Sequence, residues 1–202
     1  MNTLKAEKRN MDVKAKRLRR EGFVTGNIIG KEIEGSVPVR IPVLDAEKLI
    51  KFNGKGSQVK LDVDGQAYNT LIKDVDYDAL RHQILEIDFQ ALVAGEKVNS
   101  VAEIILLRQE MINTGVLERP LTQISYRAVP DALVEKVEVD VGNLKVGDNI
   151  LVKDLEIASN KDIEILTDPD AVVATVSVVK DEPEPETDED TVAEDTVAEP
   201  EE

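Results

Sequence analysis

Hydrophobic and polar residues trade places at every second position over much of this chain, as they do in strands with one buried face. Val37, Val39, Ile41 and Val43 alternate with Pro38, Arg40 and Pro42, and Val59, Leu61 and Val63 alternate in the same way. Leu85, Ile87, Phe89 and Ala91 alternate with Glu86, Asp88 and Gln90. Prolines at two polar positions of the first run predict an edge strand, because proline cannot donate to a ladder. Asp64-Gly65 is a hairpin signal that returns the chain through Ala67 to Lys73. Leu4 to Lys8 predicts one more short strand. A helical period surfaces only twice before residue 92. Asp12 to Gly22 reads as a helix of about two and a half turns, with Asp12 as N-cap and Gly22 as stop. Ala15 and Leu18 share one face of it, and Lys14, Lys16, Arg17, Arg19 and Arg20 cover the rest. Such a helix is too short and too charged to stand alone, so it must dock through its small apolar face. Asp45 caps a second helix, Ala46 to Phe52, which Gly54 and Gly56 end. By residue 92 the pattern contains five or six strands and two short helices, which fits a small barrel or barrel-like sheet.

Ala94-Gly95-Glu96 marks a boundary. Beyond it come short Val/Ile/Leu runs at Val98 to Leu107, Thr122 to Ala128, Lys136 to Val141, Asn149 to Val152 and Ala171 to Val179. Leu144-Lys-Val-Gly-Asp148 and Asp168-Pro-Asp170 read as turns. After Lys180 the chain changes character: prolines stand among acids, and Asp-Thr-Val-Ala-Glu occurs at 190–194 and again at 195–199. Such a segment cannot bury a core and is expected to be disordered. The predicted fold is mainly β with short helices. It comprises a barrel-like N-terminal domain over 1–93, a β-rich C-terminal domain over 94–180 and a disordered acidic tail over 181–202.

Composition sharpens this in three ways. Three Phe, three Tyr and no Trp leave the cores to Val, Ile and Leu, which favour sheet. The absence of cysteine excludes disulfides, thiolate metal sites and Cys nucleophiles, and the single histidine, His82, excludes a multi-histidine metal site. No apolar run approaches a membrane span, so the expectation is a soluble cytoplasmic protein. Charge is sorted by position. The first 20 residues hold eight Lys or Arg against two acids, whereas residues 181–202 hold twelve acids and no base, in a chain of net charge −16. A cationic segment on a protein that otherwise repels polyanions points to a local anion site, and RNA phosphate is the anion such a segment fits.

Other candidates are weaker. His82 has no sequence-level partner that would make it an acid or base. Asp62-Val-Asp64-Gly65 has the start of a calcium loop, but position 73, where the closing glutamate belongs, is lysine. Gly22, Gly26 and Gly30 lack the Gly-Lys-Ser/Thr ending of a phosphate loop. Glu86 and Asp88 share the polar face of one strand without the cleft that paired-carboxylate hydrolysis needs. No cofactor, small-molecule substrate or catalytic constellation is expected.

Several ordered fragments resemble a known family. These are Lys16-Arg-Leu-Arg-Arg-Glu-Gly22 with Ile28-Ile-Gly30; Ile87-Asp-Phe-Gln90 with Gly95-Glu96; Val137-Glu-Val-Asp-Val141 with Leu144-Lys-Val-Gly-Asp148; and Asp154-Leu155 with Asp168-Pro-Asp170-Ala-Val-Val173. Together, from about residue 3 to about residue 180, they resemble the long form of the bacterial 5S-rRNA-binding large-subunit ribosomal protein, the general stress protein CTC family. The resemblance implies a six-stranded barrel that grips a 5S rRNA loop, a second β-rich domain on the ribosomal periphery, and no catalysis. It places Arg9, Lys14, Lys16, Arg17, Arg19 and Arg20 on the RNA-facing basic segment and Asp88 on an aspartate that contacts the RNA. The chain departs from the family pattern at Val13-Lys14-Ala15, where a glycine-rich stretch is usual. It also departs at Thr25, Ile29, Asp76 and Glu86, where proline, tyrosine, glutamine and histidine are usual. Two readings follow. The first is a non-catalytic ribosomal component holding 5S rRNA. The alternative is a divergent, stress-associated protein-interaction module that has left specific RNA binding.

Overall fold

The computed structural model describes residues 3–112 and 115–178. Six strands close into a barrel: β1 (Thr3–Lys8), β2 (Phe23–Ile29), β3 (Ser36–Pro42), β4 (Gln58–Val63), β5 (Gln66–Asp78) and β6 (Gln83–Ala91), in the order β1-β3-β2-β6-β5-β4. Closure comes from β1 lying parallel to β4, with Leu4 opposite Leu61. Of the period-2 residues, Val39, Ile41, Val59, Leu61, Val63, Ile87 and Phe89 point inward as expected and are buried in one cluster, which Val24 and Ile28 of β2 join. Each such side chain contributes roughly 1.5–3 kcal/mol through burial. Ala46 and Leu49 of helix α2 (Val43–Phe52) join the same cluster. The β2–β6 pairing needs Gly26, because a Cβ there would stand 2.5 Å from the carbonyl oxygen of Ile87. At the β4–β5 hairpin, Asp64 and Gly65 both take positive φ, as the turn signal requires.

Four expectations need correction. The proline-bearing strand is not an edge: β3 pairs with β2 along its whole length and with β1 at Glu7–Arg40 and Lys8–Val39. The β1 ladder is only two residues long, so the prolines sit where few donors are required. Asp12 does not cap the first helix, α1 (Ala15–Arg20), which begins after Lys14 without a side-chain cap. Asn10 instead accepts the Asp12 N–H at 2.9 Å and shapes the approach. Asp45 lies in the first turn of α2 rather than capping it, because Pro42 starts the helix earlier. In β6 the alternation breaks: Ile84 and Ile87 are buried while Leu85 is only half-buried, and β5 carries an irregularity opposite, between Asp76 and Tyr77.

The rest of the described chain forms two further sheets. Strands β7 (Val98–Leu107), β9 (Gln123–Ala128), β10 (Lys136–Asp140) and β12 (Ile163–Ile165) make one, in the order β10-β7-β9-β12. Strands β8 (Val116–Glu118), β11 (Asn149–Leu151) and β13 (Val172–Ser177) make the other, with β13 central. Both bury a second cluster that includes Ile104, Ile124, Tyr126, Val139, Val152 and Val173. Tyr126 is fully buried with its hydroxyl satisfied twice: it donates to the Val134 carbonyl at 2.7 Å and accepts the Val134 N–H at 2.8 Å. The two clusters share no residue. Between them, Gln58 Nε2 donates to the Pro130 carbonyl at 2.6 Å. Gly56, with φ of +86°, packs so closely on Val101 that a Cβ would meet its carbonyl oxygen at 2.0 Å. The expected tail, 181–202, lies outside the described residues.

Candidate nucleic-acid interface

Helix α1 is a six-residue helix whose stability must come from docking. Leu18 supplies it: its side chain is 2% exposed. Arg19 adds a second anchor, with Nε donating at 3.2 Å to the carbonyl of Leu85 on β6, which also accepts from the Thr25 hydroxyl of β2 at 3.3 Å. Those two fixings determine which cations remain outward. Lys14, Lys16, Arg17 and Arg20 are exposed. Arg17 pairs with Glu21 one turn on at 2.8 Å, a surface pair that an incoming phosphate can replace at small cost. Among the described residues, Lys14, Lys16 and Arg20 make no ion pair. Arg9 follows β1 and is half-buried. Its N–H donates to the Pro38 carbonyl at 2.9 Å, while its Nε is buried without a partner. Of the six cations singled out from sequence, five are thus gathered on or beside α1, and Arg19 is committed to positioning it.

Asp88 stands on the outer face of β6, beside the strand that α1 docks against. The parallel β2–β6 register sets Asn27 opposite Asp88 and Thr25 opposite Glu86. The Asn27 side-chain amide donates to Glu86 Oε1 at 2.9 Å and to Asp88 Oδ1 at 3.4 Å. Across the other edge, Asp74 of β5 lies opposite Asp88, and Asp76 opposite Glu86. Like charges directly opposite are unfavourable, and here they are offset by Asn27 and by Lys55, which pairs with Asp74. Hydrogen bonding to the Lys55 ammonium, and then to the Val75 N–H, holds the Asp74 carboxyl below its ordinary pKa. The sheet face is therefore acidic, and the cationic helix borders it. Carboxylates repel phosphate but accept hydrogen bonds from the amino groups of bases, as a carboxylate does from the cytosine N4 amine. The arrangement offers cations to a backbone and acceptors to base edges.

Asn27 was not singled out from sequence, although its polar position between Val24 and Ile28 on β2 carries the signal. The remaining candidates have structural work. Asp62 accepts the Gly65 N–H at 2.9 Å and Asp64 accepts the Lys8 N–H at 3.2 Å, which makes that segment a hairpin turn. His82 sits in the β5–β6 turn with φ of +52°, its Nδ1 3.3 Å from the Tyr77 hydroxyl. Among the described residues no group of three or more His, Cys, Asp or Glu could hold a metal ion, and no helix is long and apolar enough to cross a membrane.

Comparison with known proteins covers both parts of the fold. Residues 4–89 match the model of the Ribosomal L25p family, and residues 107–180 match that of the C-terminal domain of ribosomal protein TL5. The large ribosomal subunit protein bL25 of Enterococcus faecalis is 35% identical over 181 residues, covering 89% of this chain and 87% of that protein. Its counterpart in Listeria monocytogenes is 31% identical over 191 residues, covering 93% and 91%. That of a Thermoanaerobacter species is 26% identical over 164 residues, covering 80% and 81%. Both halves of the fold are matched in order, and relatives above 30% identity are covered almost end to end, so the chain belongs to the bL25 family of large-subunit ribosomal proteins.

Proposed function

We propose that this protein is a non-catalytic component of the large ribosomal subunit that binds 5S rRNA, and that it acts in the cytoplasm. The observation that carries the reading is the set of cations Lys14, Lys16, Arg17 and Arg20, held by Leu18 and Arg19 against the β2–β6 face that presents Asn27 and Asp88, with Arg9 approaching the same segment through the Val13 carbonyl. The cations supply phosphate contacts, which position the RNA without reading it; the sheet face supplies acceptors and shape. Residues 1–93 act as the RNA-binding domain and 94–180 as a second domain, a division supported by the two separate buried clusters.

The acidic row Asp74, Asp76, Glu86 and Asp88 favours a second reading, a divergent member whose barrel face has turned to protein partners. The two readings separate in a gel shift of the full chain with 5S rRNA against excess tRNA at moderate salt. A defined 5S complex that survives tRNA, and that Arg17→Glu with Arg20→Glu weakens at least tenfold, supports the first. A chain that ignores 5S rRNA even at low salt removes it.

A further inference from the structure

We infer that a second RNA-phosphate site lies in the groove where the barrel meets the following sheet, built from Lys73 and Arg127 and flanked by Lys31 and Lys97. The inference extends the ribosomal-RNA reading above to residues that lie outside the basic segment and, for Arg127, on the second sheet.

The local backbone explains the convergence. Lys73 is the extra residue at the register shift between Ile72 and Asp74 of β5, and such a bulge re-aims a side chain. Its ammonium donates at 3.0 Å to the backbone carbonyl of Asn99 on β7. Arg127 lies opposite Asn99 in the β7–β9 register, and its Nε donates at 2.8 Å to the Asn99 side-chain oxygen. Two cations therefore lean on one neutral residue. Among the described residues neither makes an ion pair. Glu164 of β12 stands opposite Arg127 in the β9–β12 register but pairs with Lys97 at 3.9 Å, so neither Lys73 nor Arg127 has a carboxylate of its own and both can receive an anion.

The groove itself is about 380 Å³ and is lined by Lys31, Lys73, Gln90, Lys97 and Arg127, with one carboxylate, Glu96. Lys31 is paired with Glu96, and Lys97 lies 3.9 Å from Glu164. Both are surface pairs of small worth that phosphate can displace. The groove shares Lys31, Lys73 and Gln90 with a second hollow of about 480 Å³, which Ile29 and Asp88 of the proposed RNA face also line. Gln90 in the groove lies five steps along β6 from Leu85, where α1 is anchored, a span of about 16 Å at strand rise. The acidic strip of the sheet thus has a cationic border at each end, and one RNA molecule can lie on both.

The test is the salt dependence of binding by the full chain, measured between 50 and 200 mM salt. The probes are 5S rRNA alone and protein-free large-subunit rRNA. Lys73→Gln with Arg127→Gln is expected to make the slope of log K against log salt shallower by about 1.5–2, as two lost phosphate contacts require. Lys73→Glu with Arg127→Glu is expected to lower affinity at least tenfold while the thermal melt stays that of the parent. An unchanged slope and affinity in both variants, alongside weakening by Arg17→Glu with Arg20→Glu, overturns the groove and leaves the 5S reading standing. Failure of the parent on 5S rRNA, with groove-dependent binding to the longer rRNA, overturns the 5S reading and keeps the groove. Failure on both probes overturns both.

Discussion

Single residues on this surface are held between opposed demands. Asn27 is the clearest case, since one amide group satisfies two carboxylates that face each other's charge. If RNA takes Asp88, Asn27 keeps Glu86 occupied, so the amide sets which carboxylate is free to accept. Asp74 meets the same pressure through Lys55, and its depressed pKa has a consequence with a definite sign. The folded state holds this proton more weakly than the unfolded chain does. The stabilisation is therefore complete above the ordinary carboxylate range and fades as pH falls through the lowered value. Asp74→Asn should melt earlier than the parent at neutral pH, and the two melting curves should converge on acidification. A gap that stays constant with pH would show that Asp74 contributes nothing through its charge. Arg19 illustrates a different limit, because sequence offers it as one more cation while the structure spends its guanidinium on the Leu85 carbonyl.

At the scale of elements, the proposed RNA-binding unit is α1 with its dock. The Arg17–Glu21 pair and the basic last turn add little to six residues of which four are basic, so Leu18, with Arg19, decides whether the cations have a fixed position. Leu18→Ala should cost about 2–4 kcal/mol in denaturant unfolding and reduce RNA affinity without removing any charge; unchanged affinity would mean that the segment binds as an unstructured chain. The barrel strands were legible in the alternation of Val59, Leu61 and Val63 and of Ile87 and Phe89, because a buried face leaves a period-2 trace. The Asp64-Gly65 turn was legible because only a few residues tolerate positive φ. What stayed hidden was non-local. Barrel closure depends on the β1–β4 pairing, which no local pattern encodes, and the prolines of β3 read as an edge because the short β1–β3 pairing is equally non-local. Strands β8 and β12, three residues each, are too short to show a period. The basic segment was legible as charge, but its division into exposed cations and one anchoring arginine required the packing. The groove at Lys73 and Arg127 left no sequence trace, since 54 positions separate them.

Across the whole molecule, charge sets the range over which RNA is felt. Residues 181–202 carry twelve acids and no base, so the first 180 residues hold 29 acids against 25 Lys or Arg, a net charge of −4 where the full chain has −16. Removing the segment should raise 5S rRNA affinity several-fold at low salt, with the gain shrinking as the screening length falls below about 10 Å near 0.1 M salt. Equal affinities at low salt would show that the acidic segment does not compete for the basic one. In the proposed mode, RNA is held by the segment from Arg9 to Gly22 against the β2–β6 face. Hydrogen exchange of the full chain with and without 5S rRNA tests it most directly. Amides of residues 9–22, in and around a short helix with little protection of its own, are expected to slow at least tenfold on complex formation. Slowing confined to residues 98–177, with residues 9–22 exchanging as in the free protein, would contradict it.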